Sequence, residues 1–246
     1  MNFQRTTMLD AFDITSGDFI SVVGCNGKTT LMRRLALDYI NSKPGRSALI
    51  GTTTKLGADQ IPDHADIFYS LDELEKAHEE QRAQPLASIT GPLYKGMLTT
   101  PGISELEKAA SYYDIASIEA DGSRTLPIKA WRDHEPPIHP ATSLTIGILP
   151  IQAYGIHPTP ENTHAYDTFT ELYGTVDTVD AALMKEVIMR PDQMFKNSPG
   201  KKVFFLNKVD SEAQVPKALK IVEELRDAGV TIDIVFGSVL NGIFYR

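Results

Sequence analysis

The stretch at 18–40 does most to limit what this chain can fold into. DFISVV (18–23) is largely apolar and partly β-branched, GCNGKTT (24–30) follows without a spacer, and Leu31, Leu35, Ala36 and Tyr39 then recur at helical spacing. Strand, glycine loop and helix are joined end to end. A strand with no polar face needs cover on both sides, which points to a parallel sheet between helices. The rest of the chain repeats the alternation. SALIGTTT (47–54), PLASIT (85–90), DIASIEADG (114–122), SLTIGIL (143–149), KVFFLN (202–207) and TIDIVFGS (231–238) read as strands. LDELEKAHEEQ (71–81) reads as an acidic surface helix. The segment 211–229 reads as an amphipathic helix with a stripe of Leu219, Val222, Leu225 and Ala228, ended by Gly229. The expected fold is a doubly wound, mostly parallel α/β sheet in one domain, 1–246. Two proline-rich stretches, 124–140 and 150–160, are expected as long ordered loops near the ligand crevice that open sheets form at the carboxyl ends of their strands.

Composition narrows the partners. With 42% apolar residues the chain can bury a substantial core, and 24 basic against 32 acidic residues give a net charge of −8. That field opposes nucleic acid and anionic membranes, while a local cationic pocket stays open. One cysteine, Cys25, excludes an internal disulfide framework, and the first residues lack the apolar core of a signal peptide. No apolar run reaches membrane-spanning length. A soluble, cytoplasmic protein is expected, with neither nucleic acid nor membrane as partner.

GCNGKTT has the Gly-Lys-Thr ending of a phosphate-binding P-loop, with two residues between its glycines where four are usual. A phosphate cradle needs inward amides, glycines tolerant of unusual dihedrals and a helix N-terminus facing the anion. Gly24, Cys25, Asn26, Gly27, Lys28, Thr29 and Thr30 can supply these, with Lys28 on the terminal phosphates and the Thr29 hydroxyl on Mg²⁺. The competing reading is a glycine turn that happens to open a helix. The shortened loop resembles the ATP-binding loop of the Mur ligases and so leaves the base open. NKVD (207–210), directly after a strand, resembles the Asn-Lys-x-Asp motif that reads guanine in P-loop GTPases. A carboxylate only accepts hydrogen bonds, and guanine presents N1–H and N2–H side by side, so Asp210 would take that edge. Asn207 would hold the loop and meet the ring, and the Lys208 stem would lie along the base. A plain polar turn competes, since Ser211 with Gln214 can form a capping box and Pro216 suits a first helical turn. FGSV near the end is placed for a further base-contacting loop.

IEADGSR (118–124) offers the second Mg²⁺ contact. Glu119 and Asp121 share one face of the strand, and Asp121 is preferred because it lies nearer the sheet edge. Alternatively Asp121 starts a glycine turn. Thr52, Thr53, Thr54 and Lys55 close another strand on the same edge and can meet phosphate or a second substrate, although threonines are also common in strands. Catalytic roles are expected for Lys28, Asp121, His134 and Glu135. The last two, with Arg124 and Lys129, would form a second site beside the terminal phosphate. A proline-stiffened cover is the competing reading. HEPPIHP matches no strong metal template. Cys25 reads as a small loop residue whose thiol pKa would be lowered if it were exposed at the helix N-terminus.

Taken together, VVGCNGKTTLMRRLA, GTTTKLG, IEADGSRTLPIKAWRDHEPPI, MFKNSPGKKVFFLNKVD and FGSVLNG resemble, in order and over nearly the whole chain, the accessory protein family of selenium-dependent molybdenum hydroxylases. The EADGSR, PIKA and HEP block is the most specific part. One departure is Ala165, where the pattern has Arg after His164. The resemblance implies a nucleotide-dependent helper in maturing a molybdenum hydroxylase or its cofactor. Three readings follow from the residues: a slow GTPase using GTP and Mg²⁺, an ATP-dependent ligase- or kinase-type enzyme acting on a small acidic molecule, and a noncatalytic nucleotide-binding scaffold.

Overall fold

The computed structural model describes residues 3–246. Its sheet comprises β1 (Arg5–Thr6), β2 (Phe19–Gly24), β3 (Ala48–Thr52), β4 (Asp66–Phe68), β5 (Leu86–Ile89), β6 (Ile115–Glu119), β7 (Leu144–Pro150), β8 (Lys201–Asn207), β9 (Asp233–Ser238) and β10 (Ile243–Tyr245). Across the ten-stranded sheet the order is β1, β10, β9, β8, β7, β2, β6, β3, β5, β4. Neighbours are parallel except where β10 meets β9 and β1. β2 lies between β6 and β7, at the place where the winding changes side. That is where an open α/β sheet parts its loops into a crevice.

The all-apolar strands are explained by cover on both faces. Ile20 and Val22 of β2 join the core under α1 (Met8–Phe12) and α2 (Lys28–Ser42), whereas Val23 joins the core under α6 (Ala181–Met189) and α7 (Val215–Asp227). A third core packs α3 (Leu71–Glu79) and α4 (Ile103–Ala110) on β3, β5 and β6. In β2 the polar Ser21 is buried and meets the Thr142 hydroxyl at 2.8 Å. The apolar stripe of α2, with Leu31, Met32, Leu35 and Tyr39 essentially inaccessible, fixes that helix on the sheet. Each such large side chain contributes about 1.5–3 kcal/mol by burial.

The expected strands and the three expected helices are present, with ends moved by a few residues. The 211–229 segment begins as a 3₁₀ turn, Glu212–Gln214, before α7 starts, and Gln214 Oε1 accepts from the Ser211 and Asp210 amides at 3.1 and 2.8 Å. The long loops carry more structure than expected. Within 124–140, Ile128–Lys129 pairs in parallel with Thr163–His164, and within 150–160 a 3₁₀ turn covers Ile151–Ala153. A small antiparallel ladder of Lys55–Gly57, Met97–Thr99 and Leu93–Tyr94 stands beside the main sheet. The edge strands β1 and β4, the strand β10 beside β1, and helices α1, α4, α5 (Tyr166–Tyr173) and α6 lie outside the sequence expectation as well. Among the described residues no helix is long and apolar enough to cross a membrane.

Candidate functional site

β2 brings the chain to the sheet edge, and α2 begins at Lys28. Gly24, at φ +106°, could carry no side chain: a Cβ there would lie 2.1 Å from the Ile148 carbonyl oxygen of β7. At Gly27, φ +139°, a Cβ would lie 2.4 Å from Asn207 Nδ2. Dihedral and space thus both demand glycine at these two positions. The loop amides divide in use. Gly24 N–H donates to Asp121 Oδ2 at 3.0 Å and Cys25 N–H to Ile148 O at 2.7 Å, so these two are spent inside the protein. Lys28, Thr29 and Thr30 form the first turn of α2, where amides have no carbonyl one turn back and the helix dipole favours an anion.

Those residues border a cavity of about 740 Å³. Its volume lies within the range of small-molecule sites. A second wall is Glu119, Ser123, Arg124 and Thr125, a third is Lys55, Gln60 and Met97, and a fourth is Asn207, Lys208, Asp210, Val239 and Leu240.

The Lys28 ammonium donates to Gly24 O at 2.8 Å and Ser123 Oγ at 3.2 Å, and lies 3.3 Å from Asp121 Oδ1 and 3.9 Å from Glu119 Oε1. Burial works against its charge, but the two carboxylates outweigh that and raise its pKa. Thr29 Oγ1 donates to Glu119 Oε2 at 2.5 Å. Burial raises the Glu119 pKa against the opposing pull of Lys28 and Thr29. A hydroxyl and a carboxylate converging beside a phosphate-type loop fit Mg²⁺, which takes few protein oxygens and leaves room for phosphate and water. Thr29 and Glu119 are the residues that would hold it.

This arrangement corrects the preference for Asp121. Its Oδ2 accepts from Gly24 N, from Trp131 Nε1 at 2.7 Å and from Lys129 Nζ at 3.3 Å, and the side chain is fully buried beneath the loop, off the cavity wall. β6 ends at Glu119, so strand alternation no longer governs Asp121 and the turning chain carries it inward. Asp121 buttresses the loop, and Glu119 faces the cavity.

A second correction concerns His134 and Glu135. Neither borders the cavity: His134 is exposed to solvent, and Glu135 is drawn to the buried Lys129 at 3.7 Å. Lys129 also donates to Gly122 O at 2.7 Å and sits 5.1 Å from the Trp131 ring centroid. The Ile128–Lys129 pairing with Thr163–His164 draws this part of the segment inward, and of the four residues grouped there only Arg124 reaches the cavity. His139 is buried, stacked on Phe19 at 4.6 Å, with Nε2 bonded to Ile103 O at 2.9 Å. Among the described residues no group of three or more His, Cys, Asp or Glu could hold a metal. His164 is half-buried, and burial, with the Lys129 charge, lowers its pKa. Ala165 beside it takes φ 54°. Cys25 is wholly buried, and burial pushes its thiol up to about 12, so the condition for a lowered pKa, exposure at the helix N-terminus, is not met and Cys25 is a small residue packed in the loop.

NKVD and FGSV lock together. Asn207 Nδ2 donates to Asn26 O at 3.3 Å while its Oδ1 accepts from Val239 N at 3.2 Å, so one side chain ties the glycine loop to both turns. Val209 N donates to Gly237 O at 2.9 Å, Ser238 Oγ donates to Asp210 Oδ1 at 2.6 Å, and Asn241 Nδ2 donates to Asp210 O at 2.8 Å. Asp210 is exposed at the cavity. Sequence reasoning missed Ser123, Gln60, Met97 and Leu240 as wall residues. Ser123 sat within the EADGSR stretch and Leu240 within FGSVLNG, but nothing local marked Gln60 or Met97.

Comparison with known proteins adds a lineage. A family model described as YqeC protein matches residues 20–167. The uncharacterized protein YqeC of Escherichia coli (strain K12) is 30% identical over 206 residues, which cover 77% of this chain and 75% of that protein. Among solved structures, FlhF complexed with GTP and Mg²⁺ is similar at a TM-score of 0.42 and 16% identity, covering 93% of this chain and 69% of FlhF. FtsY from Mycoplasma mycoides is similar at 0.41 and 13% identity, covering 94% of this chain and 64% of FtsY. With the family match running from β2 through the DGSR loop to His164, the chain belongs to the YqeC protein family.

Proposed function

We propose that this protein binds guanine nucleotide, hydrolyses GTP slowly with Mg²⁺, and assists maturation or activation of a molybdenum hydroxylase or its cofactor. One observation carries the nucleotide reading: Lys28, Thr29 and Glu119 border the same cavity as Asp210, whose carboxylate Ser238 holds in place. Phosphates would lie on the first turn of α2, Mg²⁺ between Thr29 and Glu119, and the guanine donor edge against Asp210. Slow turnover follows from the walls. Among the described residues lining the cavity the carboxylates are Glu119 and Asp210, and with these assigned to the metal and the base no acid remains to activate a water at the terminal phosphate. The client rests on the resemblance carried by EADGSR, PIKA and HEP.

Titration with GTP and ATP tests the base. GTP is expected to bind about thirtyfold more tightly, roughly 2 kcal/mol, with the preference abolished in Asp210→Ala. Equal affinities in the wild type would favour a second reading, an ATP-dependent ligase- or kinase-type enzyme for a small acidic molecule, to which the cations Lys55 and Arg124 on the cavity wall also lend support. In cells, Lys28→Ala should lower molybdenum hydroxylase activity, and unchanged activity would remove the client.

A further inference from the structure

The chain carries a net charge of −8, yet its large cavity is lined by Lys28, Lys55, Arg124 and Lys208 against two carboxylates. Lys28 is already neutralised by Asp121 and Glu119, and Lys208 belongs to the turn around Asp210. That leaves Lys55 and Arg124. Among the described residues neither makes an ion pair: the Lys55 ammonium lies 5.0 Å from the Tyr94 ring centroid, and Glu135 pairs with Lys129 and Arg132 rather than Arg124.

Arg124 is held at the cavity by its backbone. Residues 124 and 125 both take positive φ, 49° and 62°, an uncommon choice for two consecutive residues that are not glycine. Leu126 N–H donates to Ser123 O at 3.0 Å and closes this turn, while the Ser123 hydroxyl, one residue before Arg124, accepts from Lys28 at 3.2 Å. The turn is thereby tethered to the phosphate-type loop. Lys55 comes from the opposite direction, at the start of the small antiparallel ladder that borders the cavity through Lys55 and Met97. Both side chains are exposed to solvent, so two uncommitted cations from separate elements flank one concave space with their charges open to an incoming anion.

We infer that the Lys55 and Arg124 walls form a binding site for a second ligand, a small molecule bearing a carboxylate or phosphate, held beside the terminal phosphate of the nucleotide. The inference rests on the nucleotide reading for its position. Arg124 supplies a planar fork that matches either oxyanion, and Lys55 supplies a mobile point charge. A ligand of this class would be the acceptor or effector for which the nucleotide is bound.

The test loads the full chain with a non-hydrolysable GTP analogue and Mg²⁺, so that the terminal phosphate position is filled, and titrates inorganic phosphate as the probe. Saturable phosphate binding is expected, weakened about tenfold or more by combined Lys55→Ala and Arg124→Ala substitution. Absence of saturable binding to the loaded wild-type chain, or equal binding by the double variant, overturns the site. Phosphate that competes with the analogue also overturns it, because the two cations would then serve the nucleotide itself. Should the chain take up no analogue, the nucleotide reading fails separately. The same titration on Lys28→Ala without nucleotide then decides: phosphate binding that still depends on Lys55 and Arg124 supports the site, and its absence overturns it.

Discussion

Asp121 gathers donors from three places: the Gly24 amide of the glycine loop, the Lys129 ammonium and the Trp131 indole. Replacing it with Asn removes a buried charge from between Lys28 and Lys129 and turns an amide toward groups that can only donate. Asp121→Asn is expected to destabilise the fold by about 3–5 kcal/mol, seen as a lower midpoint in thermal melts. Glu119→Gln should melt near the wild type but lose Mg²⁺-dependent gain in nucleotide affinity. The loss has a pH counterpart: because burial raises the Glu119 pKa, Mg²⁺ affinity should fall as pH drops through a value above the ordinary 4.5, and Glu119→Gln should flatten that dependence. Reversed behaviour of the two variants would return the metal to Asp121. The sequence made both acids visible but not their division of labour. Alternation assigns side chains to faces only while a strand lasts, and β6 stops at Glu119.

At the scale of elements, legibility followed length and burial. β2, β7 and β8 run six or seven residues and are mostly buried, so their apolar runs announce them. β1 and β4, with two and three residues, are too short for a period of two to register, and the Lys55–Gly57 ladder strand is equally brief. They exist because tertiary partners complete them. At one end of the sheet, Asp13, in left-handed conformation after α1, pairs with Lys201 at 2.6 Å and with Arg246, while Asp233 takes Lys201 at 3.0 Å and Arg246 at 3.2 Å. The Arg246 hydrogen bond is foremost in lowering the Asp13 pKa to about 2; burial opposes it and Lys201 adds to it. A depressed carboxylate contributes stability that is complete above its ordinary 3.8 and disappears as pH falls through about 2. Asp13 is half exposed, so solvent screening limits the effect to below about 1 kcal/mol. Urea unfolding across that acidic window should show a steeper loss for the wild type than for Asp13→Asn, and identical slopes would mean the cluster adds nothing.

The whole molecule combines an acidic exterior with a cavity whose cations come from positions 28, 55, 124 and 208. No run of basic residues betrays that pocket, because folding alone brings the four together. The candidate phosphate loop and base-reading turn were legible as contiguous motifs, whereas the walls around them depend on segments far apart in the chain. Trp131 is the sole tryptophan, 1% exposed, with its indole bonded to the carboxylate that also holds the Gly24 amide. Excited at the red edge of absorption, where its nine tyrosines are silent, the protein therefore carries a single emitting tryptophan linked through Asp121 to the glycine loop. Its emission should be blue-shifted in the native state and move to the red in urea for wild type and Lys28→Ala alike. Added GTP should change its intensity in the wild type and leave Lys28→Ala dark to the nucleotide, so one unlabelled sample can report occupancy and unfolding as separate optical signals.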